Sequence, residues 1–208
     1  LKKAAIYLLI ENGIFFLPYH CADSNTILRK EKAIEIIAVL ANLAYTYLYL
    51  NENAWCFFFG ILGPLLFLFL AWTKKIYADA ALQVFYVAIT IYGLFQLNEV
   101  WTKNHWPITT HLGFIMTGIA VALISGFILK RKTDAALPFL DSFTTVFAMV
   151  ATWMMMNFVH ENWLYFIVVN IASILLFSMR KLYLGAFMFV VYLMMAIDGY
   201  FELQIFGS

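Results

Sequence analysis

The chain has 208 residues, of which 64% are hydrophobic, 19% aromatic and only 12% charged, with a formal net charge of +1. Soluble domains carry about 25% charged residues, so this composition describes an integral membrane protein, and its near-neutral balance argues against nucleic acid as a partner. The two cysteines, Cys21 and Cys56, make neither a metal-ligand spacing nor a disulfide framework.

The first stretch, "LKKAAIYLLI", looks superficially like the start of a signal peptide, but its apolar run at 4–17 is interrupted by Glu11, Asn12 and Gly13. The residues "PYH" before Cys21 do not make a lipoprotein cleavage site, and the lack of an initiator Met suggests a trimmed chain. Residues 1–32 are therefore read as an amphipathic or partly inserted lead-in.

Crossing a bilayer takes roughly 20 apolar residues as a helix, with a range of about 17 to 25. Counted that way, seven spans follow, at 33–50, 55–72, 77–97, 111–129, 137–159, 163–179 and 182–203. The second holds Gly60, Gly63 and Pro64, which suit either a hinge or close packing of small residues against a neighbour. Cations resist translocation and collect in cytoplasmic loops. Lys74 and Lys75, then Lys130, Arg131 and Lys132, then Arg180 and Lys181 all fall on one side, which Arg29, Lys30 and Lys32 share, whereas the opposite loops hold only Lys103. The N-terminus is thus expected in the cytoplasm and the C-terminus outside.

The third and seventh spans repeat one another. "KIYADAALQVFYVAITIYGLFQL" (75–97) lies over "KLYLGAFMFVVYLMMAIDGYFEL" (181–203), pairing Lys75 with Lys181, Tyr86 with Tyr192 and Gly93 with Gly199. Upstream, "NENAWCFF" and "VHENWLYF" match with a two-residue slip that sets Trp55 against Trp163. The expected fold is all-α and integral to the membrane: a three-helix repeat at 33–97, a linker helix with its loops at 98–136, and a second, parallel repeat at 137–208. This 3+1+3 plan is that of sugar-exporter-type (SWEET-like) small carriers, in which the ligand sits between the bundles near the midplane.

On "YADAALQVFYVAITIYG", "LPFLDSFTTVFAMVA", "ENWLYFIVVNIASILLF" and "YLGAFMFVVYLMMAIDGY", with the spacing between them, the chain resembles the PnuC-type vitamin transporters. The resemblance implies a carrier in the bacterial inner membrane that moves nicotinamide riboside down its gradient, with a cytoplasmic kinase trapping the product. Where members of that family often carry tryptophan, this sequence has Leu94 and Leu97 in "YGLFQL" and Phe166 after "ENW". Thiamine or another vitamin therefore stands as the alternative substrate, and a homo-oligomer is expected.

An unpaired amide in hydrocarbon costs several kcal/mol, so polar residues within spans face an interior or a cavity. Asn42, Tyr86, Thr144, Thr145, Asn170 and Tyr192 each lie on the order of 10–15 Å from their helix starts, at 1.5 Å per residue, and Gln83 sits one turn nearer the cytoplasm. Asn170 and Gln83 are the leading ligand contacts, while Thr144 and Thr145 suit bonds to their own helix carbonyls. Trp163 is the candidate aromatic wall for a cationic ring, completed by Tyr86 and Tyr192, whereas Trp55, Trp101 and Trp106 read as an interfacial belt. Among the acids, Asp141 belongs to the family resemblance, yet with Glu35 and Asp79 it also suits a helix N-terminus. Asp198, near the outer end of the last span, reads as a gate contact or a solvated end.

Other classes find little support. The last span has no interior lysine for a retinal Schiff base, and His20, His105, His111 and His160 lie outside the span centres with no catalytic or metal motif. No enzyme, cofactor or bound metal is expected. No phosphate-binding loop appears, so ATP-driven transport by this chain alone is excluded. A vitamin-binding subunit of a separately energised complex remains the alternative from another class.

Overall fold

Long apolar runs joined by short polar turns leave the backbone one way to pair its N–H and C=O groups in lipid, the α-helix. A computed structural model describes residues 25–73, 77–96, 103–132, 137–179 and 183–206. The lead-in up to residue 24, Trp101, and the cations at 74–75 and 180–181 lie outside the described residues, as do the side chains of Arg29, Lys30 and Asp79.

Seven helices are described: α1 (Asn25–Leu50), α2 (Cys56–Thr73), α3 (Tyr77–Phe95), α4 (Ile108–Lys132), α5 (Pro138–Met156), α6 (Asn162–Met179) and α7 (Tyr183–Phe201). Every boundary falls within three residues of the apolar runs except the start of α1, which begins at Asn25 rather than 33. There "NTILRKEK" continues the helix in polar residues that a count of apolar positions passes over. The turn after α5 comes earlier than residue 159 because Phe158 adopts φ 54°, and Glu52 and Glu202 reverse the chain after α1 and α7 with φ 51°.

Five helices are long and apolar enough to cross a membrane, and the described parts of α3 and α7 carry the shorter apolar segments Leu82–Phe95 and Ala186–Phe201. Large apolar side chains such as Phe69, Met116, Leu175 and Phe187 point outward on more than half of their surface. Such a surface suits lipid and would be a liability in water.

The chain divides into two units, Leu1–Phe95 and Gln96–Ser208. In the first, α2 packs against both α1 and α3. Gly60 makes the close approach possible: a Cβ there would meet Tyr45 Cδ2 of α1 at 2.8 Å and Thr90 Cγ2 of α3 at 3.0 Å. Gly63 lies under the Asn42 side chain, and α2 continues through Pro64 without interruption. Of the two readings for these small residues, close packing is the one the geometry supports.

In the second unit, α4 packs on α5, α5 on α6 and α6 on α7. The α4 contact uses small residues, with Gly118 seating the Phe147 ring and Gly126 the Phe139 ring. Phe147, Ala148 and Val169 form the α5–α6 core, flanked by Phe143 and Tyr165. Phe177 of α6 meets Phe189 of α7 with ring centroids 5.0 Å apart.

Helix boundaries recur at one separation. α2 and α6 have equal lengths and start 106 positions apart (56 against 162), as do α3 and α7 (77 against 183), and α1 and α5 end 106 apart (50 against 156). The same separation relates Lys75 to Lys181. Burial follows it, since Ala38 and Thr144, Leu70 and Leu176, Gln83 and Phe189, and Thr90 and Ala196 are all buried. The sequence match that set Trp55 against Trp163 therefore needs correction: at this separation Phe57, itself buried, holds the place of Trp163, and the exposed Trp55 corresponds to Glu161.

Candidate functional site

On α6, Trp163, Asn170 and Phe177 are seven residues apart and share one face. Trp163 covers Gly199 of α7 and Phe177 meets Phe189 of α7, so Asn170 lies along the α6–α7 seam between these two contacts. It is only 5% exposed. No side-chain hydrogen bond from Asn170 is seen among the described residues. An amide in that position has donors and an acceptor to offer, and no interhelical bond to a described residue consumes them.

Trp163 is 6% exposed, and its ring centroid is 6.4 Å from that of Phe166. Helix packing thus takes up much of the face that was expected to serve as an aromatic wall. Tyr192 is half-buried on α7 with its ring 6.3 Å from Phe189. On α5, the hydroxyls of Thr144 and Thr145 donate to the Asp141 carbonyl at 2.8 and 2.9 Å, the local bonding that threonine chemistry suggests. Asp141 itself is buried to 1% in the first turn of α5.

In the first unit, Gln83 is buried on α3, and Tyr86 is half-buried, with its carbonyl accepting the Thr90 hydroxyl at 2.8 Å. Asn42 presses its amide onto Gly63 at the α1–α2 contact. Asp198 is not a solvated end. It is 2% exposed, and its two carboxylate oxygens accept the backbone N–H groups of Ile205 and Phe206 at 3.0 and 2.9 Å, so the chain after α7 folds back onto it.

Sequence reasoning missed Asn162 and Ser173 on α6. Both are buried, and Asn162 Oδ1 and Ser173 Oγ have no hydrogen-bond partner among the described residues, although Asn162 Nδ2 donates to the Val159 carbonyl at 2.6 Å. It also missed a cluster at the end of the second unit, where His105 and His111, distant in sequence, converge on the "HEN" of His160, Glu161 and Asn162. His105 Nδ1 donates to Glu161 Oε1 at 2.7 Å, and His111 Nδ1 meets the Tyr165 hydroxyl at 3.2 Å. The His160 ring stacks on Tyr200, and its Nε2 donates to the Tyr200 carbonyl at 3.2 Å. Asn104 ties the segment before α4 to the α5–α6 turn, donating to the Phe158 carbonyl and accepting from the His160 N–H, both at 2.9 Å. Desolvation works to raise the Glu161 carboxyl, but the His105 hydrogen bond, a backbone hydrogen bond and, when the rings are protonated, the His105 and His111 charges outweigh it and hold the group below the ordinary glutamate value. Among the described residues no group of three or more metal-ligating side chains forms a metal site.

Helices with outward apolar faces and polar groups buried inside the spans define an all-helical, multi-pass membrane protein of the carrier type. Residues 32–204 match the nicotinamide mononucleotide transporter family, and the chain belongs to that family of membrane transporters, not enzymes. It is similar to the nicotinamide riboside transporter PnuC of Escherichia coli (strain K12), 25% identical over 197 residues that cover 80% of this chain and 82% of that protein. The PnuC of Shigella flexneri matches to the same extent. The fold is also that of a solved structure, the crystal structure of the vitamin B3 transporter PnuC, with TM-score 0.65, 20% identity, and coverage of 86% of this chain and 84% of that one.

Proposed function

We propose that this transporter carries nicotinamide riboside into the cytoplasm by facilitated diffusion, with a cytoplasmic kinase trapping the product. The observation that carries the reading is Asn170, buried in a span of a family member and left without a hydrogen bond among the described residues. Trp163, Tyr192, Thr144 and Asp141 in one unit and Gln83, Tyr86 and Asn42 in the other are further candidate contacts, each taken by itself.

The family takes its name from the mononucleotide, whereas the curated relatives are riboside transporters. Charge favours the riboside. All 13 Lys and Arg residues fall outside the apolar spans, so no span supplies a cation for a phosphate, which would otherwise be desolvated unpaired. Carboxylates are likewise sparse at mid-span, which speaks for transport without a coupling ion.

The recurring helix boundaries support two three-helix repeats joined by α4. The cation distribution supports a cytoplasmic N-terminus and an external C-terminus in a bacterial inner membrane. A homo-oligomer is part of the same proposal.

Binding titration of the purified protein against nicotinamide riboside, its 5′-phosphate and thiamine tests the substrate. Riboside binding with the phosphate excluded supports the reading, and preference for the phosphate or for thiamine overturns it. Uptake into vesicles that stops at equilibrium without ATP or an ion gradient supports facilitated diffusion. Accumulation that an ionophore abolishes would refute it.

A further inference from the structure

The histidine cluster lies outside the candidate ligand contacts and has its own chemistry. Glu161, in the turn before α6, presents one carboxylate oxygen to each of two imidazoles, His105 in the segment before α4 and His111 in its first turn. Oε1 takes the His105 N–H, while Oε2 stands 3.9 Å from His111 Nε2. That second distance is too long for a hydrogen bond. It is also too short for a water in line between the two atoms, which needs about 5.5 Å. Both atoms are sealed from solvent and have no hydrogen-bond partner among the described residues.

A neutral imidazole has a single N–H to divide between two neighbours. If His111 Nδ1 donates to Tyr165, Nε2 turns a lone pair toward the carboxylate. One added proton gives His111 both N–H groups, one for the Tyr165 oxygen and one for Glu161 Oε2, and turns the gap into a charge-assisted contact after a closure of about 1 Å. Nothing needs to be oxidised or displaced.

We propose that Glu161, His105 and His111 form a proton site that clasps the head of α4 to the head of α6. A proton taken up from the adjoining water closes the clasp, and its loss loosens it. α4 and α6 each pack on α5, so drawing their ends together tightens this end of the unit. The remaining ionisable groups facing the cluster are Tyr165, His160, whose ring centroid is 5.7 Å from that of His105, and Tyr200 stacked on His160; the Lys103–Glu202 pair lies beside them. In the orientation proposed above, this end faces outside, and the consequence for transport rests on that reading: external acid slows uptake.

Two readouts keep the clasp and the transport reading apart. The full chain, with Cys21→Ser and Cys56→Ser as background, carries spin labels at I108C on α4 and L164C on α6, both on exposed positions. Electron–electron distances are then compared at about pH 5.5 and about pH 8, which bracket the ordinary titration of imidazole. A shorter, narrower distribution at the acid pH, lost in Glu161→Gln, supports the clasp. Equal distributions at both pH values overturn it. If Glu161→Gln does not fold, His105→Gln and His111→Gln serve instead, each expected to lose part of the response. In vesicles, nicotinamide riboside uptake should fall at the acid external pH relative to the alkaline one, and Glu161→Gln should flatten that profile. No uptake at any pH tells against the substrate alone, and the spin labels still decide the clasp.

Discussion

The indole of Trp163 lies directly over the Cα of Gly199: a Cβ there would meet Cε2 and Cδ2 at 2.5 and 2.6 Å. The glycine of α7 is therefore a seat for the tryptophan of α6, and the two residues fix how the helices approach one another. A methyl group would have to push the ring out of its place, because the distances are far inside van der Waals contact.

Gly199→Ala should destabilise the folded protein by about 1–3 kcal/mol, the usual cost of overpacking a buried contact. Gly113→Ala on α4 is the control, since a Cβ there has nothing within 4 Å. Thermal unfolding in detergent should separate the two, with a lowered midpoint for Gly199→Ala and an unchanged or slightly raised one for Gly113→Ala. Equal midpoints would show that the ring has room to move.

Asn170→Leu should weaken substrate binding by about 1–3 kcal/mol, through the loss of an amide hydrogen bond, with folding retained. Trp106→Ala is expected to leave affinity nearly unchanged: its ring stacks on Phe114 of α4 at 5.3 Å and is not among the candidate contacts. Titration calorimetry on both variants measures this. Native affinity in a well-folded Asn170→Leu would make the residue interhelical glue.

These residues also show how far the sequence reached. Helix positions were legible because lipid forces apolar runs into helices long enough to span it, and the basic residues mark their ends. Asn170 stood out for the same reason, as an amide where apolar residues belong. The Trp163–Gly199 contact was not legible, because a tryptophan near a span end has an interfacial reading of equal weight and nothing local names its partner. The two-residue slip had the same origin, since "ENW" and "NAW" resemble each other as strings, while Trp55 stands just before the start of α2 and Trp163 is already the second residue of α6. His105, His111 and Glu161 were passed over because their meeting depends on tertiary contact between the head of α4 and the α5–α6 turn.

Asp198→Asn should release the chain that follows α7. Its two oxygens each accept one backbone N–H, from Ile205 and Phe206. The amide of an asparagine keeps one acceptor and turns an NH2 toward the other donor, which costs about 1–3 kcal/mol for a buried group left unpaired. Limited proteolysis should then cut between 202 and 206 faster than in the parent protein. Unchanged cleavage would mean that other contacts hold this segment.

Orientation is open to direct labelling. A cysteine at position 131, in a background lacking Cys21 and Cys56, should resist a membrane-impermeant maleimide added to intact cells, and a cysteine at position 208 should react. The expectation rests on the three consecutive cations at the end of α4. The reverse pattern would invert the protein and place the histidine cluster in the cytoplasm.

Acid stability provides the last test, and its sign follows from Glu161. The folded state holds this carboxyl below the ordinary glutamate value, against desolvation, through His105 and His111. A group depressed in this way stabilises the fold fully above its unfolded-state pKa, and the contribution is lost as pH falls through the folded value. Stability should therefore decline below the ordinary glutamate range, and Glu161→Gln should show a shallower decline over that window because its amide does not titrate. Thermal midpoints collected across the acid range for both proteins measure the difference. Identical slopes would mean that the His105–Glu161 contact contributes nothing to the fold, and the clasp built on it would lose its anchor.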